Sequence, residues 1–320
     1  MHKKPITRFE RLRVRAQVNR RIRNFFHARG LLEVETPLLS GAATTDPAIE
    51  SFSTRFSGHV DGGPCQRWLR TSPELPLKRL LAEGMGDCYE LGRVFRNGEV
   101  GRGHNPEFTL LEWYRVGWNE RALADETIAL LQSLMAEDGP LRVEQTTYRD
   151  LFLQRLNLDP WLASDQDCWN ALAPIQLDRC GLDRDDCLNL LLTHRIQPSF
   201  TAQTLTVIYD WPSSQCALAQ LRPGQPPVAE RFEIYLGQFE VANGYHELND
   251  PVEQRARFVG DNHRRQARGD DALPIDERFL HAMDKLPACA GVAVGIDRIL
   301  MALCGTSAIA DVLAYDFASA

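Results

Sequence analysis

Residues 88–118, CYELGRVFRNGEVGRGHNPEFTLLEWYRVGW, constrain the fold more than any other stretch. An alternating run breaks at Asn97-Gly98, a polar loop with Gly98, Gly101 and Gly103 follows, and a second run opens after Pro106. Two extended runs joined by such a loop predict a long antiparallel hairpin. Successive residues of a strand point to opposite faces, so alternation sorts the side chains. Phe108, Leu110, Glu112 and Tyr114 share one face, Thr109, Leu111 and Trp113 take the other, and Arg96 keeps parity with Glu90 and Val94. Two readings fit the polar face. It is a solvated cross-strand ion pair, or it is the wall of a pocket for an anion, an amine and a flat ring.

Around this hairpin the chain supplies further candidates. Residues 8–29 read as a helix, with Val14, Val18, Ile22 and Phe25 at helical spacing and Gly30 at the C-terminal cap position. Its eight arginines form a solvated face or a docking surface for an acidic partner. Leu31 to Pro37 is a short strand ended by proline, and residues 40–67 form a loop with an edge hairpin. Thr71-Ser72-Pro73-Glu74 leads into a helix from Leu75 to Ala82, where a carboxylate is at minimum a favourable dipole contact. Asn119 caps a helix to about Met135, and a helical insertion is expected over roughly 119–203. Glu230 to Gly244 is a strand pair or one bent strand. Glu240 and Glu247 stand seven residues apart across Asn243-Gly244, read as a turn; carboxylates on adjacent strands suit Mg²⁺. No histidine lies four residues after His246, which excludes a zinc-protease motif. Gly291 to Leu303 is a buried strand running into a helix, and Arg298 near its positive end makes sense beside an anion.

No phosphate-cradling P-loop is present, and the glycines at 98, 101 and 103 join strand to strand rather than strand to helix, which excludes a Rossmann site. Phe95-Arg96-Asn97, the loop, and Arg102-Gly-His-Asn-Pro-Glu-Phe-Thr-Leu-Leu-Glu-Trp-Tyr114 instead resemble motif 2 of the class II aminoacyl-tRNA synthetases, in its lysine-specific form. The helix, short strand and Pro37 resemble motif 1, a dimer-interface element in that family. Glu240 to Asp250 resembles the corresponding lysyl segment, and Gly291 to Leu303 resembles motif 3.

The resemblance covers roughly residues 10–318. It implies an α+β fold with a mainly antiparallel sheet flanked by helices, one catalytic domain over 1–320 without an anticodon-binding domain, and a homodimer. It further implies ATP as substrate with Mg²⁺, and an amino-acid carboxylate attacking the α-phosphate. Arg96, Glu247 and Arg298 would be catalytic. Arg96, Asn97, Gly98, His104, Asn105, Phe108, Glu240, Val241, Gly295 and Arg298 would hold ATP, with Glu240 and Glu247 on the metal. Ser72, Pro73, Glu74, Glu112, Tyr114, Asn243, Glu247 and Ala293 would bind the amino acid. One departure is Gly98, where the family carries a glutamate; Glu99 follows it.

Four carboxylates at the proposed pocket (Glu74, Glu112, Glu240, Glu247) favour a substrate with two amines, because unpaired buried carboxylates are costly. The wording Thr-Ser-Pro-Glu at 71–74 and Ala293 is most similar to truncated lysyl-tRNA synthetase paralogues. Those place (R)-β-lysine on a lysine side chain of elongation factor P, which would make the factor, and (R)-β-lysine or lysine, the partners. Two alternatives remain: a truncated synthetase charging tRNA, and a non-catalytic paralogue acting as a binding or regulatory module. A net charge of −7 argues against broad nucleic-acid binding, and the eight cysteines, without a C-x-x-C pair, read as reduced thiols. No apolar run long enough to span a membrane is present, so a cytoplasmic address is expected.

Overall fold

The computed structural model describes residues 7–59, 65–136, 139–175 and 181–320. In chain order its main elements are α1 (Arg8–His27), β1 (Leu32–Glu33), β2 (Leu39–Ser40), β3 (Ser53–Arg55), β4 (Gln66–Leu69), α2 (Glu74–Ala82), β5 (Cys88–Phe95) and β6 (Glu107–Val116). They continue with α3 (Glu120–Met135), β7 (Arg142–Thr147), α4 (Tyr148–Leu156), α5 (Asp165–Ala171), α6 (Arg184–Leu191), β8 (Thr204–Pro212), β9 (Leu221–Arg222), β10 (Val228–Leu236) and β11 (Phe239–His246). Last come α7 (Pro251–Arg268), α8 (Glu277–Met283), β12 (Cys289–Gly295) and α9 (Ile296–Cys304). The chain divides into two units, Met1–Trp118 with Leu248–Ala320, and Asn119–Glu247.

In the first unit the expected hairpin is β5 and β6, paired antiparallel from Cys88↔Tyr114 to Phe95↔Glu107. β1 adds in parallel beside β5, and β12 pairs antiparallel with β6. Tyr89 and Trp113, opposite one another on the apolar face, receive Phe26 of α1 at ring distances of 4.6 and 5.1 Å. Thr7 and Glu10 close a capping box at the start of α1. Several of its arginines are engaged within the chain, Arg11 and Arg15 half-buried and Arg8 exposed. Arg11 binds the carbonyl and carboxylate of Asp311, Arg15 binds Asp297 and the Val312 carbonyl, and Arg8 binds the Ala314 carbonyl. The helix clasps the C-terminal segment because that segment supplies acceptors where α1 supplies donors. Residues 40–67 yield the small sheet β2-β4-β3.

In the second unit the strand order is β11-β10-β8-β7, with β9 on β10. Asn119 caps α3 by accepting from the Ala122 N–H at 3.0 Å. The stretch expected to be helical is interrupted by β7, whose Val143, Thr146 and Thr147 pair in parallel with β8; sheet context overrides a helical neighbourhood. Tyr148, Phe152 and Trp211 pack with α5 and α6 into one core. The turn expected at Asn243-Gly244 does not exist. Both residues lie inside β11, opposite Glu233 and Phe232, and the reversal falls at Gly237, whose φ of +54° suits glycine. Of the cysteines, Cys180 lies outside the described residues and the other seven are unbridged thiols. Among the described residues no helix is long and apolar enough to cross a membrane.

Candidate active site

The polar wall follows from register. Glu90 faces Glu112, Val94 faces Phe108, and on the other side Ala293 faces Glu112 and Gly291 faces Tyr114, so these residues share one face. The two carboxylates then take different roles. Glu90 is only 3% exposed and is bound by Arg70 Nη1 at 2.6 Å and by the Thr36 N–H and hydroxyl at 3.1 and 2.7 Å. Arg70 also donates to the carbonyls of Arg93 and Thr36. A Cβ on Gly92 would stand 2.6 Å from Arg70 Nη2, which is why glycine sits there. Glu90 is thus a brace. Glu112, 2% exposed, accepts the Tyr114 hydroxyl at 2.7 Å, and the Ala293 methyl lies beside it.

At the loop end of the wall, the Arg96 guanidinium lies 5.2 Å from the Phe108 ring centre, with Glu99 at 3.6 Å. Its Nε is buried and meets no acceptor, an arrangement that suits an incoming anion. Gly98 has φ of +80°, where a glutamate is strained, so glycine fits this loop and Glu99 turns toward Arg96. At the start of α9, Asp297 accepts the Thr109 N–H at 2.7 Å and is held by Arg15, while Arg298 meets His104 Nε2 at 2.9 Å. A Cβ on Gly295 would meet only Arg298 Cδ, at 3.9 Å, so the backbone there is open to close approach. The Asn97 N–H holds the Glu50 carbonyl, and the Asn105 amide holds the Glu107 carbonyl and the Phe317 N–H; these two side the loop against its surroundings. Ser72 Oγ accepts the Glu74 N–H at 3.0 Å, and Pro73 precedes α2. Lys78, 1% exposed, donates to Glu74 Oε1 at 2.5 Å. Sequence reasoning missed this lysine, although its i,i+4 spacing from Glu74 was the signal.

In the second unit, seven residues of regular strand would put Glu240 and Glu247 on opposite faces. A bulge prevents that: Ile234 pairs with Ala242 and Tyr235 with Glu240, so Val241 is the extra residue. Glu240, Asn243 and Tyr245 then share the face of Arg231, Glu233 and Tyr235, and Glu247, bridged to Ala219, continues their parity. Burial, and then the charge of Glu240, push the Glu233 carboxyl up to about 7. Oxygen donors with a repelled acid nearby fit a divalent cation at Glu240 and Glu247. A separate cluster, Glu120, Glu230 and His246, also has metal-ligand types within 4.8 Å. Arg222 already stands 3.6 and 3.7 Å from the two carboxylates and His246 Nδ1 lies 2.5 Å from Glu230, so the charges there are compensated within the protein.

The family model of class II tRNA synthetases (D, K and N) matches residues 6–318. The elongation factor P–(R)-β-lysine ligase of Vibrio cholerae serotype O1 is 44% identical over 317 residues, covering 98% of this chain and 97% of the relative. The ligase of the same name from Vibrio vulnificus is 42% identical over 318 residues, with 98% of each covered. That of Salmonella typhi is 44% identical over 305 residues, covering 94% and 93%.

Proposed function

This chain belongs to the class II tRNA synthetases of the D, K and N type, and from that membership we propose that it activates (R)-β-lysine with ATP and passes it to a lysine side chain of elongation factor P. The observation that carries the reading is the acidic wall: a buried Glu112 with Tyr114 on it and the Ala293 methyl alongside. It is supported by relatives of that name matched over nearly their whole length.

In the first step the amino-acid carboxylate attacks the α-phosphorus, the bond to the β-phosphate oxygen breaks, and pyrophosphate leaves a β-lysyl adenylate. No protein nucleophile or base is needed, because the carboxylate is already ionised; positioning and charge stabilisation suffice. Arg96, whose buried Nε meets no acceptor, would bridge carboxylate and α-phosphate. Phe108 would stack on adenine, with Arg298 opposite, and the open backbone at Gly295 would admit the nucleotide. Glu112 and Tyr114 would hold one ammonium of the substrate. Glu240 and Glu247 would hold Mg²⁺, which neutralises triphosphate charge. In the second step the neutral lysine amine of the acceptor attacks the acyl carbon, AMP leaves, and an amide forms.

A homodimer belongs to the same proposal. Leu32 on the edge strand β1, and Leu38 and Leu39 just before and at the start of β2, are all exposed, as an interface built on motif 1 requires. The test of the reading is amino-acid-dependent ATP–pyrophosphate exchange with α-lysine, (R)-β-lysine and neutral amino acids. Exchange driven by β-lysine is expected. Absence of exchange with every amino acid would favour the non-catalytic alternative.

A further inference from the structure

Arg231, in the second unit, is engaged at every nitrogen of its guanidinium. Its Nη2 donates to Glu233 Oε1 at 2.6 Å and its Nη1 to the Gln215 carbonyl at 2.7 Å. Its guanidinium lies 4.2 Å from the Trp211 ring centre and 5.9 Å from that of Tyr245. Glu233 is itself held from the other oxygen by the Tyr235 hydroxyl at 2.7 Å. The third guanidinium nitrogen, Nε, donates to Asn243 Oδ1 at 3.2 Å. Guanidinium has donors and no acceptor, so this bond fixes which end of the Asn243 amide points which way. Oδ1 is turned to Arg231, and the NH₂ group is the end offered elsewhere.

We propose that Arg231, clamped by Glu233, Gln215 and Trp211, is a positioning residue that locks the Asn243 amide with its NH₂ group toward the amino-acid substrate. This rests on the proposed function and on Asn243 being a substrate-binding residue, as the resemblance to the lysyl segment implies. A locked NH₂ reads an acceptor atom of the substrate, its carboxylate or acyl oxygen, and cannot accept from an ammonium. The face-sharing register of Asn243 with Glu233, and of Tyr245 with Arg231, holds the clamp on one surface of the β10–β11 hairpin. A positioning residue built this way acts on the preorganisation of the site rather than on its chemistry.

The experiment has a ligand-free arm and a kinetic arm. In the free protein, the side-chain amide of Asn243 is followed by ¹⁵N NMR relaxation in the parent and in Arg231→Met. A rigid amide in the parent and a mobile one in the variant is expected; equal mobility in both would overturn the proposal. In the exchange assay, Arg231→Met is expected to raise KM for β-lysine about ten- to a hundredfold, the worth of one hydrogen bond to a charged group. KM for ATP is expected to stay within about twofold, with Arg231→Lys partly restoring the parent value. KM values for both substrates rising together would mark a merely structural role and overturn it. If Arg231→Met does not fold, Asn243→Asp carries the test. Its second oxygen would face the substrate's acceptor, so affinity for β-lysine should fall at least about tenfold, and retained or tighter binding would overturn the orientation. A parent protein without exchange would defeat the proposed function, while the NMR arm still decides the clamp.

Discussion

Glu112→Gln isolates the charge of the wall. Glutamine keeps an acceptor for the Tyr114 hydroxyl, which now sits 2.7 Å from Oε1, so the local packing has no reason to change. At 2% exposure, solvent does not screen the lost charge. Replacing a buried charge-to-ammonium hydrogen bond by a neutral one costs about 2–4 kcal/mol. At about 1.4 kcal/mol per tenfold this is roughly a 30- to 1,000-fold fall in kcat/KM for β-lysine. The assay is β-lysine-dependent ATP–pyrophosphate exchange, with KM for ATP and the melting temperature measured on the same preparation. KM for ATP should move by less than about twofold and the melting temperature by only a few degrees. A kcat/KM within about threefold of the parent, under half of the smallest expected energy, would refute the placing of Glu112 against a substrate amine.

Arg70→Leu should destabilise the protein by about 3–5 kcal/mol in urea unfolding, because it leaves Glu90 charged and buried. The double variant with Glu90→Leu should recover part of that loss, and if it recovers none, the pair is not a coupled brace. Ala293→Gly, which removes the methyl beside Glu112, should narrow the preference between β-lysine and α-lysine in exchange; unchanged relative rates would refute that contribution. Burial, followed by the nearby Asp87, pushes the Cys88 thiol up to about 12, so it stays protonated at neutral pH. Native protein should therefore resist iodoacetamide at Cys88 up to about pH 9, while urea-unfolded protein reacts. The sign of the linkage is that this raised value favours the fold below the unfolded thiol's pKa and the benefit is lost as pH rises toward 12. Modification of Cys88 in the native state at pH 7 would contradict its burial.

The hairpin was readable because alternation and a glycine-bearing loop are local signals, and β5 and β6 pair in the register that sorting implied. The strand-to-helix passage at Gly295 was readable for the same reason. Non-local partners were not. Nothing near Arg15 in sequence announces Asp297, and nothing near Arg70 announces Glu90; such pairs exist only after the chain has folded. The turn expected between Glu240 and Glu247 is absent; a single bulged residue, Val241, achieves the same parity and leaves no composition signal. α7 carries a start signal that local reading can use, Asp250 capping it and Pro251 opening it. The clamp on Asn243 needed three separate strands and Gln215, and no spacing rule would have assembled it.

The central claim is that the activated amino acid ends on a protein lysine. The direct measurement incubates the chain with ATP, Mg²⁺ and radiolabelled (R)-β-lysine in the presence of both elongation factor P and tRNA, then separates the products and maps the label by mass spectrometry. Label on one lysine side chain of elongation factor P, with none on tRNA, is the result the account predicts. Label on tRNA alone would contradict it.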